Sequence, residues 1–518
     1  MKSRNVILAA TVAVVTVLII PTVLSAQDGA AKGKKAKHHH YKLIVLGTLG
    51  GPQSYGDAGH NAGNITNQGM AVGVADTATR DPFFPNYNPG FAGLIGQYPF
   101  IYHAFVTNGG APVDLGGLPG GTSSEVSFIT QNGLISGQAL NGSLDPLTGW
   151  PEENAVLWKD GQIINLGTVG GNESAGGRVN SRGQVTGIAA NTIPDPFSFI
   201  YLGYVSNGGQ TRAFLWDQRS GMQDIGTLGG PDAFAPLINE RGQIAGFSYV
   251  NYNPSSNCFF PLTTHPFLWE NGRMQDIGLG GSCGLTDDLN NRGQVVGLSN
   301  VIGDAATHAF LWDNGTAADL GTLGGTYGEA TTINEAGEIA GVANLPGDQI
   351  THALFRKRGF MTDLGTLEGD CFSGAFGING RSQVVGQSIT CDFSGFRAFL
   401  WENGNMLDLN QFVPVGTEIT LTEVEQINDR GEMFGIGTLA SGEDRAFLLI
   451  PCDDDHPDVE GCDYSMVDAA EVPSNAAVPQ FPLATLPTID SIVRTTNPWQ
   501  NWFRQRYRML GQRPVLRH

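Results

Sequence analysis

The chain reads as all-β, an eight-bladed β-propeller closed by its N-terminal strand, with a β-solenoid as the alternative. Three observations carry this reading. A phrase of short strands and tight turns recurs every ~45–60 residues. No segment of the repeat region has helical periodicity. The two ends of the array hold complementary fragments of one repeat.

Each repeat opens on Ile-Asn-x-x-Gly. The clear copies are Ile238-Asn239-Glu240-Arg241-Gly242, Leu289-Asn290-Asn291-Arg292-Gly293, Ile333-Asn334-Glu335-Ala336-Gly337 and Ile427-Asn428-Asp429-Arg430-Gly431. Weaker copies start at Ile65, Ile129, Val179 and Ile378, the last with Ser382 in place of Gly, which makes eight. Between apolar runs this is a hairpin: Asn accepts a backbone hydrogen bond and Gly takes the positive φ that ends the turn, with a bulge beside it. A strand such as Gln243-Ile244-Ala245-Gly246 follows, then a variable stretch and a bulky strand, as in Ala213-Phe214-Leu215-Trp216 and Ala309-Phe310-Leu311-Trp312. Asn-Gly pairs (Asn271-Gly272, Asn314-Gly315, Asn403-Gly404) mark a second hairpin. The unit closes on Met-x-Asp-Leu-Gly or Met-x-Asp-Ile-Gly, as at Met361 to Gly365 and Met222 to Gly226.

The array begins at Tyr41 to Thr48, which matches only a fourth strand, and ends at Ala446 to Ile450, which matches only a third. The orphans complete one another if the array closes on itself, and closure removes the edges that an open stack must cap.

The His-Ala-Phe strand (His103-Ala104-Phe105, His308-Ala309-Phe310), followed by Leu-Gly-Thr-Leu-Gly-Gly, resembles the bacterial "probable extracellular repeat, HAF family" over about residues 41–451. The resemblance implies a secreted or envelope protein and supplies no catalytic or binding residues.

Composition and the ends add the rest. Gly at 72 residues reflects the repeated turns and Gly-Gly crossovers. Lys2, Arg4, the apolar stretch Val6 to Leu24 and Ser25-Ala26 form an export signal over 1–26, long enough to serve instead as an uncleaved anchor. Residues 27–40 read as a basic, His-rich linker, 41–451 as the repeat domain, 452–489 as an acidic then Pro-rich linker, and 490–518 as a basic aromatic tail. In that tail Trp499, Trp502, Phe503, Tyr507 and Leu510 share one helical face, suited to docking, a membrane interface or a partner.

The six cysteines pair locally under the propeller topology: Cys258 with Cys283, Cys371 with Cys391, and Cys452 with Cys462. Residues 43–451 hold 16 basic against 39 acidic side chains, a net −23, which disfavours nucleic acid. No cofactor is expected; calcium on scattered carboxylates and a loosely held metal on His38, His39 and His40 are the alternatives, and zinc lacks a CxxC site. The ring is expected to be monomeric.

Catalytic motifs dissolve into the repeat. Gly280-Gly281-Ser282-Cys283-Gly284 matches a nucleophile elbow in letters, but it copies the crossover between units. His103, His265, His308 and His352 start the bulky strand where Arg212, Arg397 and Arg445 stand elsewhere, so the position is polar rather than catalytic. Asp114, Asp224, Asp276, Asp319, Asp363 and Asp408 read as turn-holding aspartates.

The departures from the repeat are insertions in the first four units, all in the second-to-third-strand connection. The first carries Phe83, Phe84, Tyr87 and Tyr98; the second Trp150; the third Phe197, Tyr201 and Tyr204; the fourth Tyr252 and Phe259. Aromatic faces flanked by Asn and Asp suit a glycan or an extended peptide. The expected function is a non-enzymatic scaffold for an extracellular glycan, peptide or protein. Alternatives are an extracellular hydrolase or lyase with acids at a central channel, and a purely structural envelope component.

Overall fold

The computed structural model describes residues 35–56, 63–84, 100–145, 149, 151–195, 209–258 and 260–473. Their regular structure is β-strand, apart from a short 3-10 turn at Leu409–Gln411. The strands form antiparallel meanders of four, taken in chain order, over 50–114, 124–165, 174–224, 233–276, 280–321, 328–365 and 370–408. The last meander, over 419–451, takes its fourth strand from Tyr41–Val45, which pairs with Asp444–Pro451 from Tyr41↔Pro451 to Val45↔Phe447. One parallel bridge, Thr264↔Cys283, joins two meanders into an eight-stranded sheet, and no sheet closes on itself.

A steric constraint explains the Gly that ends each Gln-Ile-x-Gly strand. The first strand of most meanders carries a register shift, as between Val126 and Phe128 or Ala330 and Thr332. The backbone there presses a carbonyl against the second strand. A Cβ on Gly137, Gly246 or Gly341 would lie 2.0 Å from the carbonyl oxygen of Glu125, Phe234 or Glu329. On Gly73, Gly187, Gly246 and Gly435 it would also meet the ring of Phe105, Phe214, Phe267 or Phe447 on the third strand within 2.9 Å. Only hydrogen fits between a bulged carbonyl and a buried Phe.

The Asn-x-x-Gly turns do two jobs. In the Asn239 turn, Oδ1 accepts from the backbone N–H of Arg241 and Gln243, both at 3.0 Å, while Nδ2 donates to Gln243 Oε1 at 2.8 Å. The same Nδ2 donates to the carbonyl of Asn290 in the next meander at 3.0 Å. The relay continues from Asn290 to Asn334, Asn334 to Asn379, Asn379 to Asn428, and Asn428 to the carbonyl of Thr66 in the first meander at 2.9 Å. Asn67 N to Gln131 Oε1, Asn132 Nδ2 to the Ser181 carbonyl, and Asn180 Nδ2 to the Asn239 carbonyl supply the remaining links. Gly69, Gly133, Gly183, Gly242, Gly293, Gly337 and Gly431 all take positive φ, and Ser382 adopts φ 63° in the same place.

Apolar side chains fill the space between neighbouring meanders. One cluster joins the ends of the array: Leu46, Ile65, Ala71, Ala75 and Phe105 pack with Phe434, Ala446 and Leu448. Disulfides join Cys258–Cys283, Cys371–Cys391 and Cys452–Cys462. Cys283 and Cys371 lie within Gly280–Leu289 and Asp370–Ile378, because those first strands begin inside the crossovers expected from sequence.

The flanking segments depart from the linker expectation. Lys35–His39 and Met466–Pro473 are strands that pair with one another, and the second also pairs with Asn405–Asp408, giving a six-stranded sheet. Asn405–Asp408 would otherwise be an edge with unpaired N–H and C=O groups, and both chain ends pass beside it. The signal segment, the Pro-rich stretch beyond Pro473 and the aromatic tail lie outside the described residues. Among the described residues no helix is long and apolar enough to cross a membrane.

Replacing Gly246 by Ala is expected to destabilise the fold by about 1–3 kcal/mol or more, as overpacking does. Urea denaturation checks it, with exposed Gly272→Asn as the comparison.

Candidate binding face

The first four meanders differ from the rest in their second strands. Ala71–Arg80, Ile135–Leu144, Val185–Pro194 and Ile244–Pro254 run 10, 10, 10 and 11 residues, against 7, 6, 7 and 7 in the last four. Six buried residues are followed by an exposed end in all four. A register shift marks each extension, between Asp76 and Arg80, Leu140 and Leu144, Ala190 and Pro194, and Tyr249 and Pro254.

A local device makes the shift. Asn141, Asn191 and Asn251 each accept a hydrogen bond through Oδ1 from the backbone N–H two residues on, at 2.8, 2.9 and 2.7 Å. Thr77 does the same through its hydroxyl at 3.2 Å. In sequence an Asp-Pro step follows each of the first three extensions, and Asp81, Asp145 and Asp195 are buried. Asp81 Oδ1 accepts from Phe83 N at 2.8 Å. This Asn-to-Asp-Pro pattern is local and readable in the sequence.

The ribbon ends expose one large apolar side chain each: Phe84, Leu144, Ile193 and Tyr252. Phe84 and Tyr252 were expected at this face; Leu144 and Ile193 were missed because they are aliphatic, whereas the sequence signal was aromatic. Phe83 is half-buried. Tyr87, Tyr98, Trp150, Phe197, Tyr201, Tyr204 and Phe259 lie outside the described residues. Phe260 turns inward, stacking on Phe247 with ring centroids 5.3 Å apart, and the Cys258–Cys283 bridge ties this connection to the next meander.

Carboxyl groups collect below the ribbons. Glu153 is buried, and burial first, then Glu173 and Glu125, push its carboxyl well above the usual range. Glu173 is pushed up to about 8 by burial, then by Asp145 and Glu152. Burial raises Asp76 to about 7, partly offset by the Gln53 backbone and Arg445. Toward the first strands, half-buried Asp287 lies beside buried Glu329, both raised chiefly by desolvation, with the Tyr327 hydroxyl donating to Glu329. Beside them Arg178 of the third meander pairs with Asp288 of the fifth at 2.9 Å. Among the described residues, no group of three or more His, Cys, Asp or Glu is placed to share a metal ion.

The other sequence candidates are structural. His103, His265, His308 and His352 bond Asp114, Asp276, Asp319 and Asp363 at 2.6–2.9 Å, and Arg212 and Arg397 bond Asp224 and Asp408 likewise. The same aspartates hold their turns, as Asp319 Oδ1 accepts from Gly321 N at 2.8 Å. Ser282 is no nucleophile: its N–H and hydroxyl donate to Asp304 at 2.7 and 2.8 Å, and Cys283 is bridged.

No family model matches the chain, and no curated relative matches it. Solved structures similar to it include the β-propeller domain of the Trilobed protease from Pyrococcus furiosus, at 9% identity and TM-score 0.37, covering 64% of this chain and 97% of that one. TolB from Acinetobacter baumannii aligns at 12% identity and TM-score 0.30, over 61% of this chain and 63% of TolB. A sialidase from Trypanosoma rangeli aligns at 12% identity and TM-score 0.28, over 57% of this chain and 55% of the sialidase. TM-scores this low bear on neither the number of sheets nor an activity.

The raised carboxyls set a pH dependence. Glu173 keeps its proton in the folded chain up to about 8, whereas the unfolded chain releases it near its ordinary value of 4.5. The folded state therefore binds more protons in that window, and stability falls as pH rises through it. Urea midpoints at mildly acidic and mildly alkaline pH are expected to differ in that direction, and Glu173→Gln to shrink the difference by an amount on the order of a few kcal/mol.

Proposed function

We propose that the chain is an exported, closed eight-bladed propeller of the HAF repeat type. On this reading it is a non-enzymatic scaffold that binds an extracellular partner across the ribbons of its first four blades. The observation that carries the binding role is the exposed apolar side chain at each of four consecutive extensions: Leu144, Ile193 and Tyr252 on the strands, and Phe84 in the turn just beyond Ala71–Arg80. A rigid sheet costs little to hold such a row in place, and apolar or aromatic tips beside Asn and Asp suit an extended polymer. Support for ring closure comes from the turn relay that returns from Asn428 to Thr66, and from the pairing of Tyr41–Val45 with Asp444–Pro451. Three disulfides fit an oxidising, extracytoplasmic setting.

A second reading, an extracellular hydrolase, draws on the Asp287–Glu329 pair with Tyr327 beside it. Its weakness is burial: Glu329 has 0% exposure. Turnover on a polysaccharide panel, lost in Glu329→Gln, would favour this reading over the scaffold.

Tyr252→Ala combined with Ile193→Ala is expected to abolish capture on a glycan and peptide array while leaving the melting temperature within about a degree, because both side chains are solvent-exposed. Unchanged capture would sink the ribbon face as the binding surface. Deleting 35–45 tests closure: a closed ring should lose cooperative unfolding and gain protease sensitivity near Asp444–Pro451, whereas an open array should lose only one edge strand.

A further inference from the structure

We infer that the loop closed by Cys452–Cys462 is a redox-controlled clasp that fastens the N-terminal strand to the last two meanders. The joint in question is the pairing of Tyr41–Val45 with Asp444–Pro451. The inference therefore stands apart from what the ribbons bind and from whether the whole array closes.

The loop grips several separate pieces of chain. At its root, Cys452 N donates to the carbonyl of His40, the residue before Tyr41, at 2.9 Å. Asp455 pairs with Arg381, in the turn of the seventh meander, at 2.9 Å. His456 is 2% exposed; its Nδ1 bonds Asp453 at 2.6 Å, and its Nε2 lies 3.5 Å from Glu432, in the turn of the last meander. Glu432 accepts from Asn428 Nδ2 at 2.6 Å, and the same Nδ2 donates to the Thr66 carbonyl of the first meander at 2.9 Å. Behind the loop, the Tyr464 hydroxyl donates to the His456 carbonyl and accepts from Val459 N, both at 2.8 Å.

The loop's own charge opposes this arrangement. Asp453, Asp454, Asp455, Asp458, Glu460 and Asp463 crowd one short segment. Asp454, Asp458 and Glu460 are exposed, and the ion pairs of the loop use Asp453, Asp455 and Asp463 instead. A segment of like charges repels itself and extends, the more so at low ionic strength. The covalent bond opposes that extension by holding the Cα atoms of Cys452 and Cys462 5.4 Å apart. Asp455 and His456 lie between the two cysteines, so opening the bridge loosens both grips together.

The exchange step has a defined direction. Cys452 is 1% exposed and Cys462 is half-buried, so an incoming thiolate attacks Cys462 Sγ. The S–S bond breaks, and Cys452 leaves as a thiolate that takes a proton from solvent. The second thiol of a dithiol reductant then resolves the mixed disulfide, freeing Cys462 as a thiol while the reductant becomes a disulfide. A disulfide oxidant runs the same steps backwards. The joint is thus loose in a reducing compartment and locks in an oxidising one.

The test is hydrogen exchange read by mass spectrometry on the full chain. Cys452→Ser with Cys462→Ser should speed exchange across Tyr41–Val45 at least about tenfold at low salt. Most of that change should vanish in about 1 M sodium chloride, where the screening length falls to roughly 3 Å. Cys371→Ser with Cys391→Ser, which opens a bridge elsewhere, should leave Tyr41–Val45 unchanged. A measurement on the native sequence guards against variants that do not fold. Under graded dithiothreitol, exchange at Tyr41–Val45 should rise in step with alkylation of Cys452 and Cys462. Unchanged exchange once that bridge is open, equal acceleration by both pairs of substitutions, or acceleration indifferent to salt would overturn the inference.

Discussion

The contact on which the rest of the structure depends is a carbonyl oxygen pressed onto a glycine that faces a bulky third-strand residue, Phe in six meanders, Val156 and Leu354 in the others. In each meander the first strand's oxygen would sit within 2.3 Å of a Cβ at Gly73, Gly137, Gly187, Gly246, Gly297, Gly341, Gly386 or Gly435. Strands drawn this close leave no slack for a register slip, since a shift of one residue would put a side chain where only hydrogen fits. The Asn of the following turn then bonds both its own turn and the next meander's carbonyl. Packing fixes each sheet, and the relay fixes the sheets to one another. A scaffold held at both levels tolerates insertion at the far end of its second strand, and that is where the extensions occur.

Charge is managed in two ways. On the third and fourth strands every acid in the recurrent position has a basic partner, as with His308–Asp319 and Arg397–Asp408. Below the ribbons the acids have mainly each other, and burial keeps protons on Glu153, Glu173 and Asp76. The first arrangement lowers a carboxyl: Asp276 ends below its ordinary value because the bonds from His265 and Gly278 outweigh the raising effect of burial. The second raises carboxyls and stores unfavourable free energy next to the face proposed for binding. Clamps of the first kind recur around the array, whereas the crowded acids Glu152, Glu153 and Glu173 lie where the first extended ribbons begin.

Much of this was legible in the sequence, for reasons that differ by element. The hairpins were readable because Asn-Gly and Asn-x-x-Gly have local causes, and Asn271, Asn314 and Asn403 all show the positive φ those turns need. The disulfide partners followed from topology. The second role of Asn was not legible, because Nδ2 reaches a carbonyl ~44–59 residues away and no local pattern encodes that reach. Nor was the pairing of His308 with Asp319 evident, although both recurred: an eleven-residue separation means contact only once the hairpin register is known. The chain ends misled for a compositional reason. Lys35–His39 and Met466–Pro473 look like solvated linker, yet an exposed sheet edge recruits backbone irrespective of side chains.

The choice between scaffold and hydrolase turns on access rather than on which residues are present. Asp287, Glu329 and Tyr327 have the composition of an acid–base centre, but a substrate would have to displace the first strands to reach a fully buried Glu329. Those strands carry the close carbonyl contacts described above; the Glu329 carbonyl itself lies against Gly341. Opening there would dismantle the most tightly specified part of the fold. The ribbon tips need no such movement, because Leu144, Ile193 and Tyr252 are already exposed. Binding at that end, as proposed, would leave the packed strands intact.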